Sequence, residues 1–418
     1  MMKHYIKALL PLLFLALTAN AQIRFDEGDD DALAADTLLI DSVSPEQQSL
    51  PWPQSVVAGI DNLLKSDMFE TSQVGMMVYD LDADSAIYCH NERQLMRPAS
   101  TMKLLTAITA IDKLGGSYQF KTDLCYTGEV TDGTLSGNIY CVGGFDPRFN
   151  IDDMRAFVES IRKMGVDTIR GTIYADKSMK DEAQYGEGWC WDDDNPILSP
   201  LLVGRKDVFI DRFVQELREA GIVVDAFTGQ GRKPDDAFCI CRRFHTIDQV
   251  LMRMLKESDN LYAESMFYQI GAALGNHPAT AHSARNVMNR LIEKVGLDPK
   301  RYNIADGSGL SLYNYVTAEL EVRLLRYAFK NNNIYLHLHP SLPQAGTDGT
   351  LRKRMTSPFT QGNVYAKTGT LSGISSLAGY CTAANGHRLA FAIINQGLLH
   401  GHNGRSFQDR VCTILCQP

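Results

Sequence analysis

Ser100 and Lys103 stand three residues apart in "RPASTMKLLTA", residues 97–107, where the chain turns apolar. A serine hydroxyl is a weak nucleophile near neutral pH and needs a base beside it. On a helix, positions i and i+3 share a face, so the Lys103 amine can reach back to Ser100. Burial against Met102 and Leu104 would disfavour the charged ammonium and lower its pKa. Alone, the spacing says little. Ser100 is equally well placed as a helix cap, and about one or two such pairs arise by chance in a chain of this length. A second copy, Ser160 with Lys163 in "VESIRKMG", falls on a charged, solvated helix.

Two further tripeptides change the odds: Ser258-Asp259-Asn260 in "LKESDNLYAE" and Lys367-Thr368-Gly369 in "YAKTGTLSG". Ser258 brings a hydroxyl able to pass a proton to a leaving amine, and Asn260 an amide able to hold both Lys103 and a substrate amide. Lys367 and Thr368 fall on a strand, where a cation beside a hydroxyl suits a substrate carboxylate. The charge of Lys367 would also push Lys103 towards its neutral form. Gly369 is expected to let a substrate backbone come close. The N–H groups of Ser100 and Thr370 are the expected oxyanion hole. No Ser-His-Asp order and no G-x-S-x-G is present.

These residues need a scaffold. The nucleophile helix should end at Gly115-Gly116. Before it, "SVVAGIDNLLKSD" has helical spacing, and "QVGMMVYDLDADSAIY" reads as two strands around Asp82-Ala83-Asp84. At the other end, "NVYAKTGTLSGISSLAGYCTAANGHRLAFAIINQG" reads as three strands, with Asn385-Gly386 as a tight turn, before a helix over about 404–416. Strands at both ends with helices between predict one mixed sheet closed by the two termini and covered by helices, an α+β fold. Residues 119–235 differ. They are hairpin-rich, then helix and strand, and read as an inserted smaller α/β domain between two parts of the main domain, 51–118 and 236–418.

The opening "MMKHYIKALLPLLFLALTANAQ" has a basic start, a short apolar run and a small-x-small site, so residues 1–21 read as a cleaved signal peptide and the protein as exported to the periplasm. Residues 22–50 read as an acidic tether. No other stretch is apolar enough to span a bilayer. A formal charge of −8 without a basic run is a poor match for nucleic acid. Of the nine cysteines, Cys125 and Cys141 could bridge neighbouring segments, while most are expected as buried thiols. There is no CxxC, and the pairs His337/His339 and His400/His402 lack an HExxH frame, so neither metal nor cofactor is expected.

The order SxxK, SDN, KTG is the signature of penicillin-binding proteins and class A β-lactamases. Ser100 and Ser258 are 158 positions apart, too far for a plain β-lactamase core. The chain resembles the D-alanyl-D-alanine carboxypeptidase/endopeptidase family typified by penicillin-binding protein 4. The matching landmarks are "RPASTMKLLTA", "VGGFDPRF", "GTIYADKS", "GWCWDDD", "MLKESDNLYAE", "ADGSGLSLYNYVT", "SLPQAGTDGTLRKR" and "YAKTGTLSG". The resemblance implies a β-lactamase/DD-peptidase-like sheet flanked by helices, and a periplasmic serine enzyme acting on peptidoglycan stem peptides. Ser100 would take the acyl group from the D-Ala-D-Ala bond, or from a β-lactam antibiotic such as penicillin. Lys103 would be the base, Ser258 and Asn260 would assist, and Lys367, Thr368 and Thr370 would hold the terminal carboxylate. Asp176, in "YADKS", is the candidate for the diaminopimelate end of the peptide. The family's nested third domain has no room here, since "SPLLVGRKD" runs into "VFIDRFVQELREAGI", and Phe145 stands where the family often has glycine. Two other readings remain at this point: a serine β-lactamase, which needs an extra carboxylate to activate water, and a non-catalytic penicillin-sensing or wall-binding protein. Carboxypeptidase or endopeptidase preference and oligomeric state stay open.

Overall fold

A computed structural model describes residues 50–193, 195–275 and 277–417; the expected signal peptide and nearly all of the acidic tether lie outside them. The central sheet has the order β10-β11-β12-β1-β2. Its strands are β1 (Gln73–Asp80), β2 (Ser85–His90), β10 (Tyr365–Leu371), β11 (Ile374–Thr382) and β12 (Arg388–Gln396). The termini do close it, through β1 paired with β12. It is antiparallel throughout rather than mixed, because every neighbour joins by a hairpin or by the return of the chain. Gly386, at φ 88°, makes the turn read from Asn385-Gly386.

Strands β11 and β12 are buried on both faces. Alternate residues therefore feed two cores. Leu377, Leu389, Phe391 and Ile393 pack with helices α1 (Gln54–Leu63) and α10 (Gly401–Cys416). Ala378, Tyr380, Ala390, Ala392 and Ile394 belong to the core under α2 (Met102–Leu114), α5 (Ile247–Lys256), α6 (Asn260–Ala272), α7 (Ala281–Lys294), α8 (Ala318–Lys330) and α9 (Asn332–Ser341). Helix, sheet and helix thus form three layers. Helix α2 is buried almost all round, which is why it tolerates Lys103, Thr106 and Thr109 only with partners inside the protein.

The insertion carries its own sheet, ordered β4-β5-β7-β6-β3-β9, with β8 added beside β7. Strands β6 (Ile139–Gly143), β7 (Thr168–Asp176) and β8 (Val223–Gln230) are parallel, joined by helices α3 (Ile151–Lys163) and α4 (Phe209–Glu219). Phe149, Phe157, Phe209 and Phe213 fill the core beneath them. The expected boundary at 235 falls short: β9 (Phe238–Thr246) pairs along β3 (Gln119–Tyr126), so this sheet extends to Thr246. Its sequence hides it, because it is an exposed edge strand without apolar alternation. The remaining strands are the short β4 (Glu129–Thr131) and β5 (Thr134–Ser136).

The same strand corrects the cysteine pairing. Cys125 is bonded to Cys239 on β9, while Cys141 is a buried free thiol. On β6 the residue opposite Cys125 is Tyr140, and a one-residue offset turns Cys141 to the other face. Phe145 is buried at φ 53°, so the position where the family often has glycine does adopt the left-handed backbone that favours it.

Thr246 ends β9 and caps α5, its hydroxyl accepting from the Gln249 N–H while the Gln249 side chain returns to the Thr246 N–H. Thr246→Ala is expected to lower unfolding stability by about 1 kcal/mol in a urea titration. Unchanged stability would show that packing alone fixes this junction.

Candidate active site

Three segments meet at one amine. Lys103 Nζ donates to Ser100 Oγ at 2.8 Å, to Asn260 Oδ1 at 2.8 Å and to Ser308 O at 2.7 Å. Its side chain is fully buried, and burial lowers its pKa to about 8, although Asp306, Glu264 and Asp259 pull the other way. Ser100 lies in the 3-10 turn Ala99–Thr101 that leads into α2. Ala99, just before it, is held at φ 49°, a costly backbone for alanine. Ser258 is likewise left-handed, at φ 58°. Both hydroxyl-bearing loops are thus fixed by their surroundings rather than by local preference.

Asp259 caps α6 by accepting from the Leu261 N–H, which sets Asn260 as the first helical residue. Two guanidiniums hold the cap: Arg253 from α5 at 2.8 Å, and Arg205 from the insertion. Both also lie over the Tyr262 ring. The second lysine, Lys367, donates to Ser258 Oγ at 2.8 Å and to Thr368 O at 2.7 Å. Burial, then the charge of Lys103, pushes its pKa well below the usual lysine range. With its charged form disfavoured, Lys367 sits as a hydrogen-bonded neighbour of Ser258. An incoming carboxylate would favour its charged form.

Gly369 also gives room inside the protein. A Cβ there would sit 2.9 Å from Ser100 N, 2.7 Å from Pro98 O and 2.1 Å from Ser376 Oγ, so the missing side chain admits the nucleophile's own turn. Thr368 donates to Thr350 Oγ1 at 2.7 Å, and Thr370 is exposed beyond it. The strand carrying them, β10, is the edge of the sheet; residues 343–344 pair with its start at Tyr365 and Ala366, and beyond these no strand pairs with its outer side.

The carboxylates near the cleft are engaged. Asp306 accepts from Gly309 N, Ser311 N, Asn314 Nδ2 and Trp189 Nε1. Glu264 accepts from Gly307 N and Ser308 N, and burial followed by the charge of Asp306 raises its pKa to about 8. Together they shape the turn that presents Ser308 O to Lys103. The stretch "ADGSGLSLYNYVT" carries this turn and no role is evident for it from the sequence. Its acid-glycine-serine run was the available signal; the roles of Arg205 and Ser376 left none.

Asp176 stands apart from this group. It is buried at the end of β7, and its oxygens accept from the Ser178 and Lys233 N–H groups, which gives it a turn-holding role. The second serine–lysine pair also stays outside: Ser160 donates to Ala156 O one helical turn back. Among the described residues, no group of His, Cys, Asp or Glu is arranged to hold a metal ion, and no helix is long and apolar enough to cross a membrane.

Gly369→Ala is expected to displace the Ser100 turn and lower thermal stability by several degrees, read by calorimetry. A variant that melts with the wild type would mean that the turn shifts freely.

The family model for the D-Ala-D-Ala carboxypeptidase 3 (S13) family matches residues 56–201 and 204–417. The D-alanyl-D-alanine carboxypeptidase DacB of Haemophilus influenzae is 25% identical, over 79% of this chain and 87% of its own. A D-alanyl-D-alanine carboxypeptidase from an Actinomadura species is 27% identical, over 86% and 84%. The crystal structure of penicillin binding protein 4 (dacB) from Haemophilus influenzae superposes with a TM-score of 0.78 at 24% identity, over 84% of this chain and 97% of that one. The match runs through the catalytic motifs and the insertion alike, and the chain belongs to the D-Ala-D-Ala carboxypeptidase 3 (S13) family.

Proposed function

We propose that this protein is a serine D-Ala-D-Ala carboxypeptidase of peptidoglycan that works through an acyl-enzyme on Ser100. The observation that carries the reading is the buried Lys103 amine, 2.8 Å from Ser100 Oγ and depressed in pKa to about 8. The neutral amine takes the hydroxyl proton as Ser100 attacks the carbonyl between the two D-alanines. Ser100 N–H and Thr370 N–H receive the oxyanion. Ser258, hydrogen-bonded to Lys367, hands a proton to the departing D-alanine amine. Water then releases the shortened peptide. Lys367, Thr368 and Thr370 receive the terminal carboxylate, with the peptide laid along the open edge of β10.

A β-lactam would acylate the same serine; the similar penicillin binding protein 4 from Haemophilus influenzae has been solved in complex with a β-lactam. Asp306 and Glu264 have their oxygens turned onto donors of the 306–314 turn, which favours slow deacylation over β-lactamase turnover. The protein acts in the periplasm, exported by the signal peptide read at residues 1–21.

Release of D-alanine from a pentapeptide, followed by mass spectrometry, tests the reaction. Ser100→Ala is expected to abolish penicillin labelling and cut D-alanine release by about 10³-fold or more with the fold intact, while Ser160→Ala changes neither. Labelling that survives Ser100→Ala would remove the proposed nucleophile. Because the base must be neutral, the acylation rate should rise with pH from 6 up to about 8. A rate flat between pH 6 and 8 would show that Lys103 is not the base.

A further inference from the structure

Behind the nucleophile turn lies a carboxyl that the proposed reaction does not use. Glu321 is in the first turn of α8, 3% exposed, and neither of its oxygens closes a regular hydrogen bond. The one side chain acting on it is the Thr101 hydroxyl, which would hold the carboxyl's pKa down if it donated, against the larger effect of burial that raises it. Thr101 adjoins Ser100, and its single proton is spent on Pro98 O at 2.8 Å. Pro98 O also accepts from Ser376 Oγ, which lies 3.4 Å from Thr101 Oγ1. This knot holds Pro98, the left-handed Ala99 and Ser100 as one unit. Within it the Thr101 oxygen still has room to accept. A carboxylate could only compete for the Thr101 proton and pull it off Pro98 O, whereas a carboxylic acid is a donor and completes the chain.

We infer that Glu321 is a positioning residue kept in its protonated form, its O–H donating to Thr101 Oγ1, which in turn donates to Pro98 O and so locks the turn that carries Ser100. This inference rests on the acyl-enzyme reading above. Burial is the main force on the carboxyl and raises its pKa to about 8 from 4.5. Helix α8 packs on α2, α9, β1, β11 and β12. The titratable groups these bring towards α8 include Lys103, Asp112, Tyr335, His339, Tyr79, Tyr380 and Arg388, and Asp112 is taken up by Lys294 and by Tyr327 of α8. Lys103 is engaged with Ser100, Asn260 and Ser308; Tyr79 bonds Asp84, Tyr380 bonds Leu325 O and Arg388 bonds Asp82. Tyr335 and His339 stack on each other. On α8 itself, Glu319 pairs with Arg323, and Arg326 with Asp84. None of them supplies Glu321 with a counter-charge.

The test measures acylation by a fluorescent penicillin from pH 6 to 10, alongside melting temperature, for the wild type, Glu321→Gln and Glu321→Met. The wild-type rate should climb as Lys103 loses its proton and fall again as Glu321 loses its own. Glu321→Gln keeps a neutral donor, so it should acylate within about twofold of the wild type at pH 7 and lose the falling limb. Glu321→Met keeps the volume without a donor and should acylate about tenfold more slowly at pH 7. An unfolded chain releases the Glu321 proton near pH 4.5 and the folded one near 8, so this residue costs stability as pH rises between them. Glu321→Gln should therefore gain melting temperature progressively across that range.

Should Glu321→Met fold poorly, Thr101→Val removes the acceptor instead, and it should slow acylation in the same way. Glu321→Gln would then have no added effect on the pH profile in the Thr101→Val background. A falling limb unchanged by Glu321→Gln, or full-rate acylation by a folded Glu321→Met or Thr101→Val, overturns the role of Glu321 alone. A wild type that no penicillin acylates at any pH overturns the acyl-enzyme reading, and this inference with it.

Discussion

One buried amine organises this molecule. Lys103 sits in a helix enclosed on all sides, where an unpartnered ammonium would be prohibitively costly. Its three acceptors come from three distant parts of the chain: Ser100, Asn260 and Ser308. Satisfying that nitrogen therefore means bringing together the nucleophile turn, the cap of α6 and the turn after Asp306. The folding requirement and the chemical requirement coincide. The contacts that make the amine tolerable in the core also set it against the hydroxyl and keep it only marginally basic.

The second lysine extends the same logic. Two amines in one dry cleft cannot both hold a proton cheaply. The cleft is a proton store with vacancies, and its occupancy depends on what negative charge enters. Acidic groups stand by, yet Asp306 is taken up by two backbone and two side-chain donors and Glu264 by backbone N–H groups. They shape loops rather than accept protons from substrate. Left-handed backbone falls at both places where hydroxyls are presented, Ala99 beside Ser100 and Ser258 itself, each braced by a neighbouring strand.

Much of this was legible in the sequence because the chemistry is written locally. Ser100 with Lys103, the Ser258 tripeptide and the Lys367 tripeptide are short, and their residue types imply their roles. The sheet strands could be read from alternation and from turns such as Asn385-Gly386. What escaped was set by long-range partners. Strand β9 carries too little apolar pattern to announce itself, so the insertion's edge and the Cys239 partner of Cys125 were hidden. The room Gly369 leaves for the Ser100 turn is invisible in the string because that turn is far away in sequence. The same holds for Asp176, whose oxygens accept from the Ser178 and Lys233 N–H groups. Glu321 reads as one more surface charge on an amphipathic helix until its burial is seen.

The insertion leaves and rejoins the main body at adjacent ends of β3 and β9, where Gln119 lies opposite Thr246. From Thr246 a single ten-residue helix, α5, leads to the Ser258 loop, and Arg205 of the insertion grips the Asp259 cap from the other side. The smaller domain is thus geared to the catalytic loop by a short rigid shaft and an ionic clasp. A load on its surface would be felt first at Ser258 and Asn260, and through the Asn260 amide at the Lys103 amine that also holds Ser100.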